Sequence, residues 1–179
     1  MDISFERIVN ELSPYFRDFE SRYLNDFPEV ERREVEDLIR LLNAEESPIT
    51  LEAILCKDDF VGFISYWHLP QFIYLEHFAI DPNKRSNGIG RQVIGQIQKR
   101  FSDARFVLEA EPPTDHITTR RIKFYERLGF TLSDIPYIQP SYRADGESIP
   151  LRIMTLRFSQ PIDEGELDDL RRYVYDIKL

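Results

Sequence analysis

Two glutamates and a pair of glycines are the residues of this chain best placed by type and spacing to do chemistry. Glu76 stands inside FIYLEHFAI (72–80), an otherwise apolar run. An unpaired carboxylate in such surroundings is costly. Burial would also raise its pKa toward the range of a general base. The plainer reading is a salt bridge to an arginine in the core. Glu109 and Glu111, in RFVLEAE (105–111), are rival bases on a neighbouring strand; Glu76 ranks first and Glu109 second. Strand alternation turns His77 to the face opposite Glu76, where it packs under a helix.

The glycines lie in DPNKRSNGIGRQVIG (81–95), directly after that run and directly before a helical pattern. A strand feeding a helix through a glycine turn presents unpaired N–H groups at the helix N-terminus, which with the macrodipole favour a phosphate. Gly88 and Gly90 keep side chains from standing between backbone and ligand oxygens, and Arg85 adds a cation. The plainer reading is that the glycines only turn the chain into the helix. Two nucleotide motifs fail: a dinucleotide fingerprint needs glycine where Val93 stands, and a P-loop needs Lys-Ser/Thr where Arg91-Gln92 stand.

The elements that must position these residues follow from length and periodicity. A chain of 179 residues, 42% hydrophobic, suits one folded domain over 1–179. A net charge of −9 argues against a nucleic-acid partner. One cysteine, Cys56, leaves no internal disulfide and no cysteine-based zinc site, and His68, His77 and His116 show no metal spacing. No signal peptide shows, and no apolar run reaches the roughly 18 residues that suggest a membrane span. The expectation is a cytoplasmic protein without metal.

MDISFERI reads as an edge strand, and residues 10–42 as helical with a break at FPEVERR (27–33), Leu12 sharing a face with Tyr15, Phe16 and Phe19. Residues 49–56 and 60–69 form a hairpin turning at Lys57-Asp58-Asp59. Residues 72–80 make a central buried strand. Val93, Ile94, Ile97 and Phe101 mark a helix face; 105–111 is a strand; 118–128 is a helix stopped by Gly129; late strands and a short closing helix follow. The order predicts an α+β (α/β mixed sheet) fold with parallel character at its strand–helix–strand centre.

Arg85-Ser86-Asn87-Gly88-Ile89-Gly90 fills the pattern [RQ]-x-x-G-x-[GA], with FAIDP before it and FYERLGF (124–130) after it. On these motifs the chain resembles the GNAT superfamily of acyl-CoA-dependent N-acyltransferases, strongly over 60–130 and by element order elsewhere. The resemblance implies splayed central parallel strands, 74–80 and 105–111, flanked by helices, with pantetheine in the gap. It places the pyrophosphate beside Arg85 and Ser86 on the amides of Asn87, Gly88, Ile89, Gly90 and Arg91. Main-chain groups of Phe78 and Ile80 would pair with the pantetheine, the Phe78 amide serving the thioester oxygen as an oxyanion hole. Tyr125 matches the general acid of many members, a phenol protonated at neutral pH; its plainer role is core packing. Thr118 and Arg121 stand where many members carry Asn and Ala, so Thr118 takes the place of a pantetheine ligand. Arg120 and Arg121 could meet adenosine phosphates.

The function implied is direct acetyl transfer from acetyl-CoA to a primary amine, with Glu76 or Glu109 receiving the amine proton. Tyr23, Phe27 and the following ERR on one side, and YIQPSY (137–142) on the other, would wall the acceptor pocket. The acceptor stays open among an amino acid, a polyamine, an aminosugar and a peptide N-terminus, and a homodimer is compatible. A non-catalytic acyl-CoA sensor is the alternative; a doubly wound nucleotide-binding domain is the third reading, opposed by the missing glycine.

Overall fold

The computed structural model describes residues 2–143 and 146–175. Eight strands form one sheet: β1 (Ile3–Arg7), β2 (Ile49–Cys56), β3 (Asp59–His68), β4 (Ile73–Ile80), β5 (Phe106–Ala110), β6 (Thr131–Leu132), β7 (Tyr137–Gln139) and β8 (Ile149–Leu156). Their order is β1-β2-β3-β4-β5-β8-β6, with β7 also on β8. Only β4 and β5 pair in parallel; the rest of the ladder is antiparallel. The helices are α1 (Phe16–Asp26), α2 (Val35–Leu42), α3 (Ile89–Arg100), α4 (His116–Glu126) and α5 (Glu164–Leu170). A π-helical turn, Arg171–Tyr175, continues α5.

Each face of the sheet carries a core. Phe16, Phe19 and Tyr23 of α1, Leu38, Leu41 and Leu42 of α2, and Leu167, Leu170 and Val174 at the C-terminal end cover one face. Ile89, Val93, Ile94 and Ile97 of α3 and Ile122 of α4 cover the other. Central strands are therefore buried on both sides, which is why 49–56 and 72–80 read as almost unbroken apolar runs. The β2–β3 hairpin closes through Lys57 (φ 53°) and Asp58 (φ 67°), the doubly left-handed geometry of a two-residue turn.

The first helix starts later than its periodicity predicts. Ser13 Oγ accepts from the Val9 and Asn10 amides, and Asn10 Oδ1 accepts from Leu12 N–H. These local bonds give residues 9–13 a turn in place of a helical ladder. Leu12 is consequently 86% exposed and is no part of the α1 face. Helix α4 begins earlier than predicted, at His116, because Asp115 caps it.

Candidate active site

The glycine loop leaves β4 through a short 3-10 turn, Pro82–Lys84, held by Asp81 Oδ1 accepting from Asn83 N–H. Ser86 (φ 68°) and Gly88 (φ 78°) are both left-handed, so Gly88 spares the chain a strain of about 1–2 kcal/mol. No side chain caps α3, and the helical bond across its start runs from Gln92 N–H to the Gly88 carbonyl. The amides of Ile89, Gly90 and Arg91 therefore precede the helical ladder and point out along its axis. A Cβ built on Gly88 would meet no atom within 4 Å. That open space, before a row of outward amides, fits a diphosphate.

Gly90 serves a different need. Its Cβ would stand 3.3 Å from the Phe124 ring and 3.6 Å from that of Phe78, so its bareness lets α3 lie close against α4. Arg85, though exposed, is tied back to the fold: Nε donates to the Ile80 carbonyl at 2.8 Å and its other end lies 3.6 Å from Asp26. It braces the loop against β4 and α1. The cation that reaches the loop is Arg120, whose guanidinium donates to Ser86 Oγ at 3.4 Å. Arg121 pairs with Glu111. Thr118 is spent on the capping box: it accepts from the Asp115 amide and donates to Asp115.

The parallel pairing of β4 with β5 stops early. It joins Ile73 to Phe106, Tyr74 to Val107 and Leu75 to Leu108, and goes no further. Glu76 and Glu109 are the next residues on their strands, so both carboxylates stand where the strands part. Beyond them the β5-facing edge of β4, through Phe78 and Ile80, has no strand partner among the described residues.

A bulge in β4 decides what Glu76 meets. The β3–β4 register shifts between Ser65 and Tyr66, which pair with His77 and Leu75 and leave Glu76 as the extra residue. Glu76 and His77 therefore both face α1 and α2, and the opposite orientation predicted for His77 by simple alternation does not hold. His77 does pack against helix residues, its ring meeting Tyr23 and Phe27 edge-on, and its Nε2 lies 2.8 Å from the Glu31 carbonyl. Glu76 is paired with the buried Arg33 at 3.2 Å. Ser65 and Tyr142 each donate to it at 3.2 Å, and His77 Nδ1 lies 3.4 Å away. Burial opposes its charge, but Arg33 and then His77 overrule it and hold the carboxyl down at about 2. Arg33 lies between the rings of Trp67 and Tyr142, 5.0 and 4.6 Å from their centroids.

Glu109 has no such counter-ion. Its oxygens accept from Tyr137, from Gln139 at 2.7 Å and from Tyr175 at 2.7 Å, and no cation among the described residues is ion-paired with it. Burial pushes its pKa up; the donors Tyr137, Tyr175, Gln139 and Tyr74 oppose the rise without cancelling it. Two carboxylates at one point in the sheet thus shift in opposite directions: Arg33 and His77 hold Glu76 down, while burial without a counter-ion raises Glu109.

Tyr125 lies in the core across the sheet, its ring in edge-on contact with Phe124 and Phe130. No described side chain bonds its hydroxyl, and burial pushes its pKa up to about 12. It stays a proton donor at any ordinary pH. The structure thus brings Glu76 and Glu109 together on one face, places Tyr125 on the other, and leaves Glu111 outside with Arg121.

Sequence reasoning missed Arg33, Tyr142 and Tyr175 as partners of the two glutamates. The salt-bridge reading of Glu76 pointed to an arginine without naming it, and the aromatics of the expected acceptor walls were the hint of the tyrosines. The segment 137–142, predicted as a wall of the acceptor pocket, begins with strand β7, which presents Tyr137 and Gln139 to Glu109. Arg143 then ties that segment to Glu29 and Glu34 of the α1–α2 connection.

Strands parting beside a glycine-capped helix define the acyl-CoA N-acyltransferase fold, and similarity to known proteins agrees. Residues 5–130 match the acetyltransferase (GNAT) family. The chain is 31% identical to a protein of Bacteroides thetaiotaomicron assigned to the GNAT acetyltransferases, covering 98% of this chain and 99% of that one with a TM-score of 0.86. It therefore belongs to the GNAT acetyltransferase family and is an acyltransferase drawing on acyl-CoA. The fold is shared with the ribosomal-protein-S18-alanine N-acetyltransferase of Escherichia coli, at 16% identity over 91% of this chain and 98% of that one (TM-score 0.60). It is shared too with a GNAT acetyltransferase of Elizabethkingia anophelis solved with acetyl-CoA bound, at 13% identity over 87% and 98% (TM-score 0.58). No curated protein sequence matches the chain. Among the described residues no helix is long and apolar enough to cross a membrane, and no group of three or more His, Cys, Asp or Glu side chains is placed to hold a metal.

Proposed function

We propose that the protein is an N-acetyltransferase that moves an acetyl group from acetyl-CoA directly to a primary amine, with Glu109 as the base and Tyr125 as the acid. The observation that supports it most is the parting of β4 and β5 at Glu76 and Glu109, between a core that holds Tyr125 and one that holds the carboxylates. Acetyl-CoA supplies an activated thioester. The amides of Asn87, Gly88, Ile89, Gly90 and Arg91 would hold its diphosphate, with Arg120 beside them and Arg85 and Ser86 shaping the loop. Main-chain groups of Phe78 and Ile80 on the unpaired edge of β4 would align the pantetheine, the Phe78 amide facing the carbonyl oxygen. Thr118, its hydroxyl engaged at the helix cap, contributes by fixing α4.

The acceptor arrives as an ammonium, with a pKa near 10.4 for an alkylamine, and must lose a proton before its nitrogen can attack. Between the two glutamates, electrostatics favours Glu109. A carboxylate held at about 2 is a feeble base, whereas one raised by burial and free of any cation takes a proton more readily. Glu76, kept charged by Arg33, adds a fixed negative field beside it. Tyr125 gives its hydroxyl proton to the departing sulfur from the far side of the gap. The aromatic and acidic lining suits a small cationic amine or a peptide N-terminus, in a reducing cytoplasm where the single Cys56 stays a thiol.

The test is thiol release from acetyl-CoA with four acceptors: spermidine, glucosamine, lysine and a peptide with a free N-terminus. Amine-dependent release with at least one of them is the expected outcome. Release that is never above the amine-free rate, with acetyl-CoA bound, would sink the reading.

A further inference from the structure

The C-terminal turn does more than close the fold. After α5 the chain winds through Arg171–Tyr175 and buries Val174 and Tyr175 in the carboxylate-side core. Val174 offers its carbonyl to Arg33 at 2.6 Å. Tyr175 Oη lies 2.7 Å from Glu109 Oε2, 3.0 Å from Gln139 Nε2, 3.1 Å from Tyr74 Oη and 3.5 Å from Tyr142 Oη.

Proton counting fixes the direction of these bonds. A phenol has one proton to give and two lone pairs. The Gln139 amide nitrogen can only donate, so it takes one lone pair. An ionised carboxylate can only accept, so the single Tyr175 proton goes to Glu109. Tyr137 commits its own proton to the other carboxylate oxygen. Tyr74, 3.1 Å away, then donates to the second lone pair of Tyr175, and Tyr142, at 3.5 Å from Tyr175, gives its proton to Glu76 Oε1 at 3.2 Å.

We propose that Tyr175 is a positioning residue for acyl transfer: from the C-terminal turn it reaches back to Glu109 Oε2, favours the ionised carboxylate and fixes its orientation at the head of the strand gap. This rests on the reading of Glu109 as the base. The groups facing Glu109 are Tyr74 on β4, Tyr137 and Gln139 on β7, and Tyr175 itself. Its β8 partner is the apolar Ile153, and Glu76 lies beyond Tyr142. No lysine, arginine or histidine among the described residues is ion-paired with it, so hydroxyl and amide donors alone stabilise its charge. The C-terminal turn supplies one of them.

Tyr175→Phe removes that proton and keeps the ring. A carboxylate losing a donor to its charged form is protonated more easily. Activity needs Glu109 ionised, so the acid limb of kcat/KM against pH should move upward by roughly one unit. The variant would then be about 10-fold slower below the limb and close to the parent above it. The assay uses acetyl-CoA with whichever of the four amines turns over fastest. Acetyl-CoA affinity, read alongside, should stay level, and the melting temperature should fall by only a few degrees, as expected for about one pKa unit of lost support to a buried carboxylate. Tyr173→Phe, at an exposed neighbour, is the control. A 3-fluorotyrosine at position 175, a stronger donor, should move the limb the other way and remains informative if the Phe variant folds poorly.

A loss of equal size at every pH, or a limb unmoved by both replacements, overturns the proposal. Glu109→Gln separates it from the reading beneath: an acid limb that survives there removes Glu109 as base, and the role of Tyr175 falls with it. A limb erased by Glu109→Gln yet indifferent to position 175 overturns the tyrosine's role alone.

Discussion

The glycine loop, at the C-terminal end of β4, and the point midway along β4 where it parts from β5 are both polar and are built in opposite ways. The loop is exposed from Pro82 to Gly88 and is shaped by backbone: two left-handed residues, an uncapped helix and space where a Cβ would be. The parting point is a buried cluster in which both carboxylates accept from several side chains, although Arg33 Nε, Trp67 Nε1 and Gln139 Oε1 have no hydrogen-bond partner among the described residues. A surface loop can leave its amides for a ligand because water satisfies them meanwhile. A buried carboxylate has no such reserve and must be matched by the protein itself. On the proposed function, the loop that would bind is left open to solvent, while the carboxylates that would handle the proton are buried.

Substitutions can break this contrast. The largest expected effect is on chemistry: Glu109→Gln should lower kcat by roughly 100- to 10,000-fold, the range for a general base, with acetyl-CoA affinity unchanged by calorimetry. Next is Arg33→Ala, which strands Glu76 as a lone buried charge and should cost about 3–5 kcal/mol of stability in a urea titration. The same titration on Gly88→Ala should show a loss of only about 1–2 kcal/mol, from left-handed strain, while acetyl-CoA affinity falls. A loop variant that unfolds the protein, or an Arg33 variant that is stability-neutral, would erase the distinction between the two regions.

Acid sharpens the comparison further. Glu76 is held near 2 against an ordinary 4.5, burial being overruled by Arg33 and His77. A folded-state pKa below the unfolded one means the charged form stabilises the fold. That stabilisation is whole above about 4.5 and is lost as the pH falls toward 2. Melting temperatures should therefore decline across this window, and Glu76→Gln should flatten the decline. The smallest expected effect is Arg120→Ala, a few-fold loss of acetyl-CoA affinity that shrinks as salt rises.

The same contrast explains what could be read from the amino acids alone. The glycine turn, the hairpin at Lys57-Asp58, the helix faces of α3 and the break before α2 are set by neighbours within a few residues, and their patterns are legible. The parting of β4 and β5 followed from the family resemblance carried by the glycine motif. Three things were not legible. Arg33 and Glu76 are 43 positions apart, and Glu109 and Tyr175 are 66 apart; only the closed fold joins them. The β4 bulge is one residue out of register and leaves no mark on an apolar run, so His77 is turned by it unannounced. And the Asn10–Ser13 turn competes with a helix that Leu12 otherwise suits. The salt-bridge reading of Glu76 was available from residue type, but not the identity of its arginine or the absence of one beside Glu109.

The central claim is that Glu109 removes a proton from the acceptor amine, and the most direct test varies the proton. The fastest alkylamine acceptor and a close analogue already unprotonated at neutral pH, such as its hydrazide, are compared in the parent and in Glu109→Gln. The account predicts that the variant loses most of its rate on the alkylamine and keeps most of it on the analogue, which carries no ammonium proton to surrender before attack. Equal losses on both amines would contradict it.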